Sequence, residues 1–177
     1  RFWARVHSSL VPGTAVTLSI GAVEVVRGDR QSFLVTTNAN GAPIRMVFDT
    51  GAPVVVLTPR DAVRAGFDPE RLAYNRLVQT ANGTTQAASG SIGRLKVGPI
   101  ERTNVQALVA KPGNLTTSLL CMSFMDRLTS FSIASDRLTL VDYEARRALA
   151  WPTAAKARRR TSGRAVSSRA SSDRICR

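Results

Sequence analysis

Ile44-Arg45-Met46-Val47-Phe48-Asp49-Thr50-Gly51-Ala52, with the run Val54-Val55-Val56-Leu57 just after it, decides how this chain folds. Two apolar stretches of strand length enclose a tight turn that carries a carboxylate, a hydroxyl and a residue without a side chain. An acid held between two buried strands is costly unless its charge is used or shared. Asp-Thr-Gly occurs once in the sequence, and Asp-Ser-Gly does not occur. A mechanism that needs two such carboxylates must therefore take the second from another copy of the chain.

On both sides of this stretch the pattern is one of short strands and turns. Val23 to Val26 reads as a strand ended by Arg27-Gly28-Asp29, and Ser32 to Thr37 as the next. Asn38-Ala39-Asn40-Gly41 is a hairpin turn, because Asn and Gly tolerate the positive φ of tight turns, and Pro43 to Phe48 returns to deliver Asp49. Consecutive antiparallel strands joined by short loops predict an all-β core rather than a parallel sheet with crossover helices. One helix of about two turns is expected over 58–66. Thr58 caps it, Pro59 takes its first position, Asp61 complements the positive end of its dipole and Gly66 ends it. Arg76 to Thr80 and Thr84 to Ala88 flank Ala81-Asn82-Gly83, a second Asn-Gly hairpin made of small polar residues. Gly90 to Val97 is a further strand, Gly98-Pro99 turns the chain, and Val105 to Ala110 is apolar enough to be buried. After a break at Lys111-Pro112-Gly113-Asn114 come the apolar run Leu119-Leu120-Cys121-Met122, a short helix over 123–128, and a closing hairpin. That hairpin joins Phe131 to Ile133 with Arg137 to Val141 around Ser135-Asp136.

The 177 residues, 44% of them hydrophobic, suffice for one domain with a core and are too few for two large ones. Residues 1–15 lack periodicity and read as a lead-in or linker, 16–152 as the domain, and 153–177 as a disordered basic tail. That tail carries one Lys and seven Arg against one Asp, a net +7 of the chain's +13. No aromatic is interleaved with Arg158-Arg159-Arg160 to stack on bases, so no specific nucleic-acid partner is expected. No apolar run approaches the roughly 20 residues of a membrane helix. Cys121 and Cys176 lie far apart and the one histidine, His7, lies in the irregular N-terminus. Zinc ligation, a disulfide framework and histidine-assisted nucleophilic catalysis are all poorly supported by this set. No metal and no cofactor are expected.

Met46-Val47-Phe48-Asp49-Thr50-Gly51-Ala52 resembles the active-site signature of retropepsin-like aspartic proteases. The likeness extends to a bacterial branch of that clan through four further elements. These are the Asn-Gly hairpin before the motif, Thr80-Ala81-Asn82-Gly83, Leu119-Leu120-x-Met122-Ser123-Phe124 and Asp136-Arg137-Leu138-Thr139-Leu140, so that it runs from about Thr17 to Leu140. The resemblance implies an all-β, single-lobe acid-protease fold with one or two short helices. It also implies a homodimeric aspartic endopeptidase acting on a peptide or protein substrate. Asp49 would be the catalytic carboxylate, Thr50 would make hydroxyl contacts across the dimer floor, and Gly51 and Ala52 would complete the turn. Ala81, Asn82 and Gly83 would form a flap over substrate, with Leu119, Leu120 and Cys121 packed behind the site. A periplasmic or membrane-associated setting is implied as well, because similar bacterial proteins often carry an N-terminal membrane anchor; no signal or anchor is read within this chain.

The chemistry fits the residues. Two carboxylates close enough to share one proton hold a water between a base and an acid, which cleaves a peptide bond without a metal or a covalent intermediate. Gly51 lets the backbone approach and offers its amide to the carboxylate, Thr50 braces the turn, and Ala52 is small enough to sit under the site. Two positions depart from the family pattern: Pro53 stands where Ser or Thr is usual, and Cys121 where Gly is usual. They motivate an alternative, a catalytically inactive dimeric binding module of the same fold. Cys121 itself reads as a small buried apolar residue. Asp61, Asp126 and Asp136 read as helix cap, surface charge and turn former.

Overall fold

The structure is a computed structural model that describes residues 16–19, 21–28, 32–80 and 83–143. The lead-in 1–15 and the tail 153–177 lie outside these residues. In chain order the strands are β1 (Val16–Ser19), β2 (Ala22–Val26), β3 (Leu34–Ala39), β4 (Ala42–Phe48), β5 (Val55–Leu57), β6 (Arg76–Thr80), β7 (Gly83–Val97), β8 (Ile100–Ala110), β9 (Ser118–Leu120), β10 (Ser130–Ala134) and β11 (Arg137–Val141). Among the described residues, two short helices, α1 (Pro59–Arg64) and α2 (Met122–Met125), and a 3-10 turn at Pro69–Arg71 accompany them.

A seven-stranded sheet has the order β3-β4-β9-β5-β8-β7-β6. Strand β3 also pairs with β7, through Asn38↔Lys96 and Ala39↔Leu95, so the sheet closes on itself and leaves β6 hung on the outside of β7. Beside this barrel lies an antiparallel four-stranded sheet, β1-β2-β11-β10. Alternation decides which face goes inward: in β4 Ile44 and Met46 are buried while Pro43 and Arg45 are exposed. Val35, Val55, Leu57, Ile92, Leu95, Val105, Val109 and Leu120 join them in one core.

The hairpin before the Asp-Thr-Gly turn is tighter than its sequence suggests. Its loop is Asn40-Gly41 alone, with φ of 52° and 96°, and Ala39 pairs directly with Ala42. Positive φ at both central residues gives the turn the twist of the flanking strands, so Asn38 and Ala39 extend the ladder and the strand runs over 34–39 rather than 32–37. The Asn40 side chain then works as a clamp. Its amide donates to the Ala65 carbonyl at 2.8 Å, and its carbonyl accepts the Arg94 amide at 2.8 Å.

Helix α1 forms as its capping residues require. The Thr58 hydroxyl accepts the Asp61 amide at 3.1 Å, Pro59 opens the helix, and Gly66 follows its end. Helix α2 begins one residue earlier than expected and is shorter, because beyond Met125 the backbone tightens to three-residue turns, with the Arg127 amide donating to the Phe124 carbonyl at 3.3 Å and the Leu128 amide to the Met125 carbonyl at 2.9 Å. The stretches 84–88 and 90–97 are one strand, since β8 pairs with β7 in constant register from Ala87↔Ala110 to Val97↔Ile100. The all-β core expected from the hairpins is present, and it also contains parallel pairings that the hairpins do not report. Strand β9 runs parallel to β4 (Met46↔Ser118, Val47↔Leu119, Phe48↔Leu120), and β5 runs parallel to β8. Hairpin chemistry reports only neighbours in sequence, and these pairings join distant segments.

One ion pair stitches the two sheets together. Asp142 is fully buried and accepts from the Arg102 guanidinium at 2.6 Å, while its own amide donates to the Gly21 carbonyl at 2.7 Å. Arg102 also donates to the carbonyls of Glu101 and Arg127, each at 2.9 Å. Removing one partner leaves a buried charge without compensation. Arg102→Ala is therefore expected to lose about 3 kcal/mol of stability, read as the urea midpoint; a midpoint equal to the parent's would refute the latch.

Candidate active site

Strand β4 brings the chain to Phe48, whose amide donates to the Phe33 carbonyl at 2.9 Å. The Phe48 ring meets Phe33 edge-on at 6.3 Å and Phe131 at 5.7 Å between centroids. Asp49 follows, half-buried, with Thr50 and Gly51 exposed beyond it. The Gly51 amide donates to Asp49 Oδ1 at 2.8 Å, and a Cβ at position 51 would come within 3.1 Å of that oxygen. A side chain there would press on the acid.

The two strands that flank the turn do not pair with each other. Strand β9 is inserted between them, parallel to β4 and antiparallel to β5 through Val56↔Leu119. This insertion holds both arms of the turn by their backbones. The Asp49 amide donates to the Leu120 carbonyl at 3.0 Å, and the Met122 amide to the Ala52 carbonyl at 3.2 Å. The hydroxyl of Ser123 adds a third tie, accepting the Val55 amide at 3.0 Å and donating to the Gln106 carbonyl at 2.9 Å. The Asp-Thr-Gly turn and Leu119-Leu120-Cys121 are thus brought together, with Leu120 and Cys121 fully buried behind it. Ser123 has a positioning role that local sequence pattern did not reveal; its signal was a hydroxyl within an otherwise apolar run.

Of the second hairpin, Gly83 opens β7 opposite Thr80, while Ala81 and Asn82 lie outside the described residues. Its base is fastened to the loop after β8, where Lys111 Nζ donates to Gln86 Oε1 at 2.6 Å and the Asn114 side chain bonds the Thr85 hydroxyl.

Around Asp49 the electrostatics are simple. Among the described residues its carboxylate receives one hydrogen bond, that of Gly51, and its remaining acceptor positions are uncommitted. Several other carboxylates are engaged elsewhere: Asp61 with Ser118 and Arg64, Asp142 with Arg102, Asp136 with Arg137, and Asp68 with Arg71. The Cys121 thiol beneath the turn is pushed up from 9.0 to about 12, first by burial and then by the charge of Asp49, with a backbone hydrogen bond from Val56 acting in the opposite sense. It therefore remains a neutral thiol at physiological pH.

Residues 35–124 match the sequence profile of a family described as aspartyl protease. An uncharacterized protein of a Sinorhizobium species is 40% identical over 145 residues, covering 80% of this chain and 62% of the relative. An uncharacterized protein of Rickettsia prowazekii (strain Madrid E) is 35% identical over 136 residues, covering 77% of this chain and 58% of the relative. The chain thus spans about three fifths of the length of these two relatives. Among solved structures, a retropepsin-like aspartic protease from Rickettsia conorii superposes with a TM-score of 0.64 at 34% identity, over 70% of this chain and 92% of that one. The EIAV protease, in complex with the inhibitor HBY-793, shares the fold at a TM-score of 0.50 and 18% identity, over 62% of this chain and 100% of that one.

The raised Cys121 pKa has a consequence for stability. The folded chain holds this proton more tightly than the unfolded one, so the contribution is complete below about pH 9 and is lost as pH rises toward about 12. In a Cys176→Ala background, the gap in thermal midpoint between Cys121 protein and its Cys121→Ala variant should shift against the thiol across that window. A gap that stays constant over the same range would show that the thiol is not so perturbed.

Proposed function

The chain belongs to the retropepsin-like aspartyl protease family, and from that premise we propose that it is an aspartic endopeptidase in which two copies of Asp49, one from each protomer of a homodimer, activate a water molecule. The observation that carries this reading is the state of Asp49. It is half-buried, held by its backbone through Leu120, given one amide by Gly51, and otherwise uncommitted. A single carboxylate can accept a proton from water but cannot at the same moment donate one to the substrate carbonyl. Asp61, Asp136 and Asp142 are taken up by partners of their own, and in this reading the second acid comes from the Asp-Thr-Gly turn of a second copy. Two such groups at close range share a proton, which supplies the base and the acid together.

Thr50, exposed at the tip of the turn, has its hydroxyl available for the partner copy. The β6–β7 hairpin takes the part of a flap: among the described residues β6 pairs with β7 alone. The substrate in this reading is an extended peptide held between flap and floor.

The alternative, a silent dimeric binding module, was motivated by Pro53 and Cys121. Cys121 is accommodated in the core with the Asp49–Leu120 and Gly51–Asp49 hydrogen bonds both formed, which favours the active reading. Pro53 is exposed and lies outside the hydrogen bonds that hold the turn.

Asp49→Asn should reduce peptide cleavage by at least about a thousandfold while leaving the thermal midpoint in place. Cleavage at the parental rate by that variant would remove Asp49 from the mechanism. Activity of the parent should fall as pH rises from acid to neutral, because one carboxylate of the pair must hold a proton. Specific activity should also climb with protein concentration as dimers form; a monomer by sedimentation that cleaves at a concentration-independent specific rate would overturn the two-copy scheme.

A further inference from the structure

Two sizeable cavities open on the outside of the barrel, and both hold cations. In the one of about 790 Å³, Arg94 and Lys96 are spoken for: both reach Glu101, at 3.1 and 3.0 Å. The other, of about 840 Å³, differs. It collects Arg45 from the outward face of β4 and Arg60 and Arg64 from α1. Arg64 is committed, donating to Asp61 Oδ1 at 3.3 Å and to the Pro43 carbonyl at 2.5 Å, and so it neutralises the one acid among the described residues that line the trough. Arg45 and Arg60 are exposed and make no hydrogen bond or ion pair among the described residues. The trough therefore carries two uncompensated positive charges.

Its position ties it to the candidate site. Arg45 and Val47 lie on one side of β4, two residues apart, and Asp49 follows after two more. Val47 faces Leu34 across the hairpin, and the pair forms an apolar floor. Thr116 and Thr117 also line it, directly ahead of β9, whose Leu120 carbonyl accepts the Asp49 amide. Arg45 stands four residues before Asp49 on the chain, a separation of the order spanned by about four residues of an extended peptide at about 3.3 Å each.

We propose that this trough is an extension of the substrate cleft that selects peptides with acidic side chains, Asp or Glu, some two to five residues from the cleaved bond. The inference rests on the proteolytic reading for the class of ligand. A floor of Leu34 and Val47 suits the apolar part of a peptide, and among the described residues no aromatic lines the trough on which bases could stack, which disfavours a nucleic acid. The chain's own basic stretch, 153–177, has the wrong sign to occupy it.

The test compares the parent with an Arg45→Glu/Arg60→Glu double variant, whose exposed side chains can be replaced without breaking a bond. Digestion of a proteome-derived peptide library should show Asp and Glu enriched about tenfold at the outer positions over the double variant's products, with Lys and Arg favoured instead in the variant. A second arm measures anisotropy of a fluorescein-labelled Glu-rich peptide with Asp49→Asn protein, which should bind it more weakly as salt rises and lose it when the two arginines are reversed. Identical cleavage profiles for parent and double variant would overturn the trough while leaving proteolysis intact. Charge-dependent binding by a parent that cleaves nothing would instead sustain the trough and sink the protease reading. Tighter binding of a single-stranded oligonucleotide of equal charge would overturn the peptide assignment.

Discussion

Everything that organises the Asp-Thr-Gly turn depends on β9 lying between β4 and β5. A turn between two strands that paired with each other would be an ordinary hairpin, with its acid splayed into solvent. Inserting three residues of β9 separates the arms and presents the Leu120 carbonyl to the Asp49 amide at 3.0 Å. The backbone of the turn then has its partners, and the carboxylate is left with one amide and spare acceptor capacity. Polar groups that are satisfied through the main chain leave side chains free for chemistry. The same strand sets the order of the layers, because Ser118 at its start is buried and reaches Asp61 at 2.7 Å and the Thr58 amide at 3.0 Å.

Much of this architecture was legible in the sequence, and the legible part is local. Asn40-Gly41 announces its turn, Thr58 and Pro59 announce α1, and alternation in 42–48 tells inside from outside, because each is written within a few residues of chain. The position of β9 was not legible in the same way. A parallel pairing between segments distant in sequence leaves no periodic trace, so the hairpins could be read while the pairings of β9 with β4 and of β5 with β8 could not. The Arg102–Asp142 latch was missed for the same reason: its partners stand 40 residues apart and neither residue type is unusual for a surface. For the site, the turn and the Leu119-Leu120-Cys121 run behind it came from motif resemblance, and the structure supplies the hydrogen bonds that join them. Arg45 and Arg60 carried no motif at all; only the folding of α1 beside β4 makes them neighbours.

Cys121 shows how a departure from a family pattern can be absorbed. A thiol is small, and burial keeps it neutral next to an acid, so the only new charge it could bring is suppressed by the site it occupies. The carboxylate above keeps its backbone contacts, and the core behind it is filled.

The reach of the ties around the turn also bears on when the turn can exist. Ser123 grips the Val55 amide across 68 residues of chain, and Ser118 grips the Thr58 amide across 60. A chain emerging from the ribosome therefore passes through a long interval in which Asp49 has been made and its scaffold has not. Closing loops of that length comes late in folding, after the local hairpins are in place. Throughout that interval the acid is an ordinary flexible aspartate, and the nascent polypeptide is spared whatever the finished turn does.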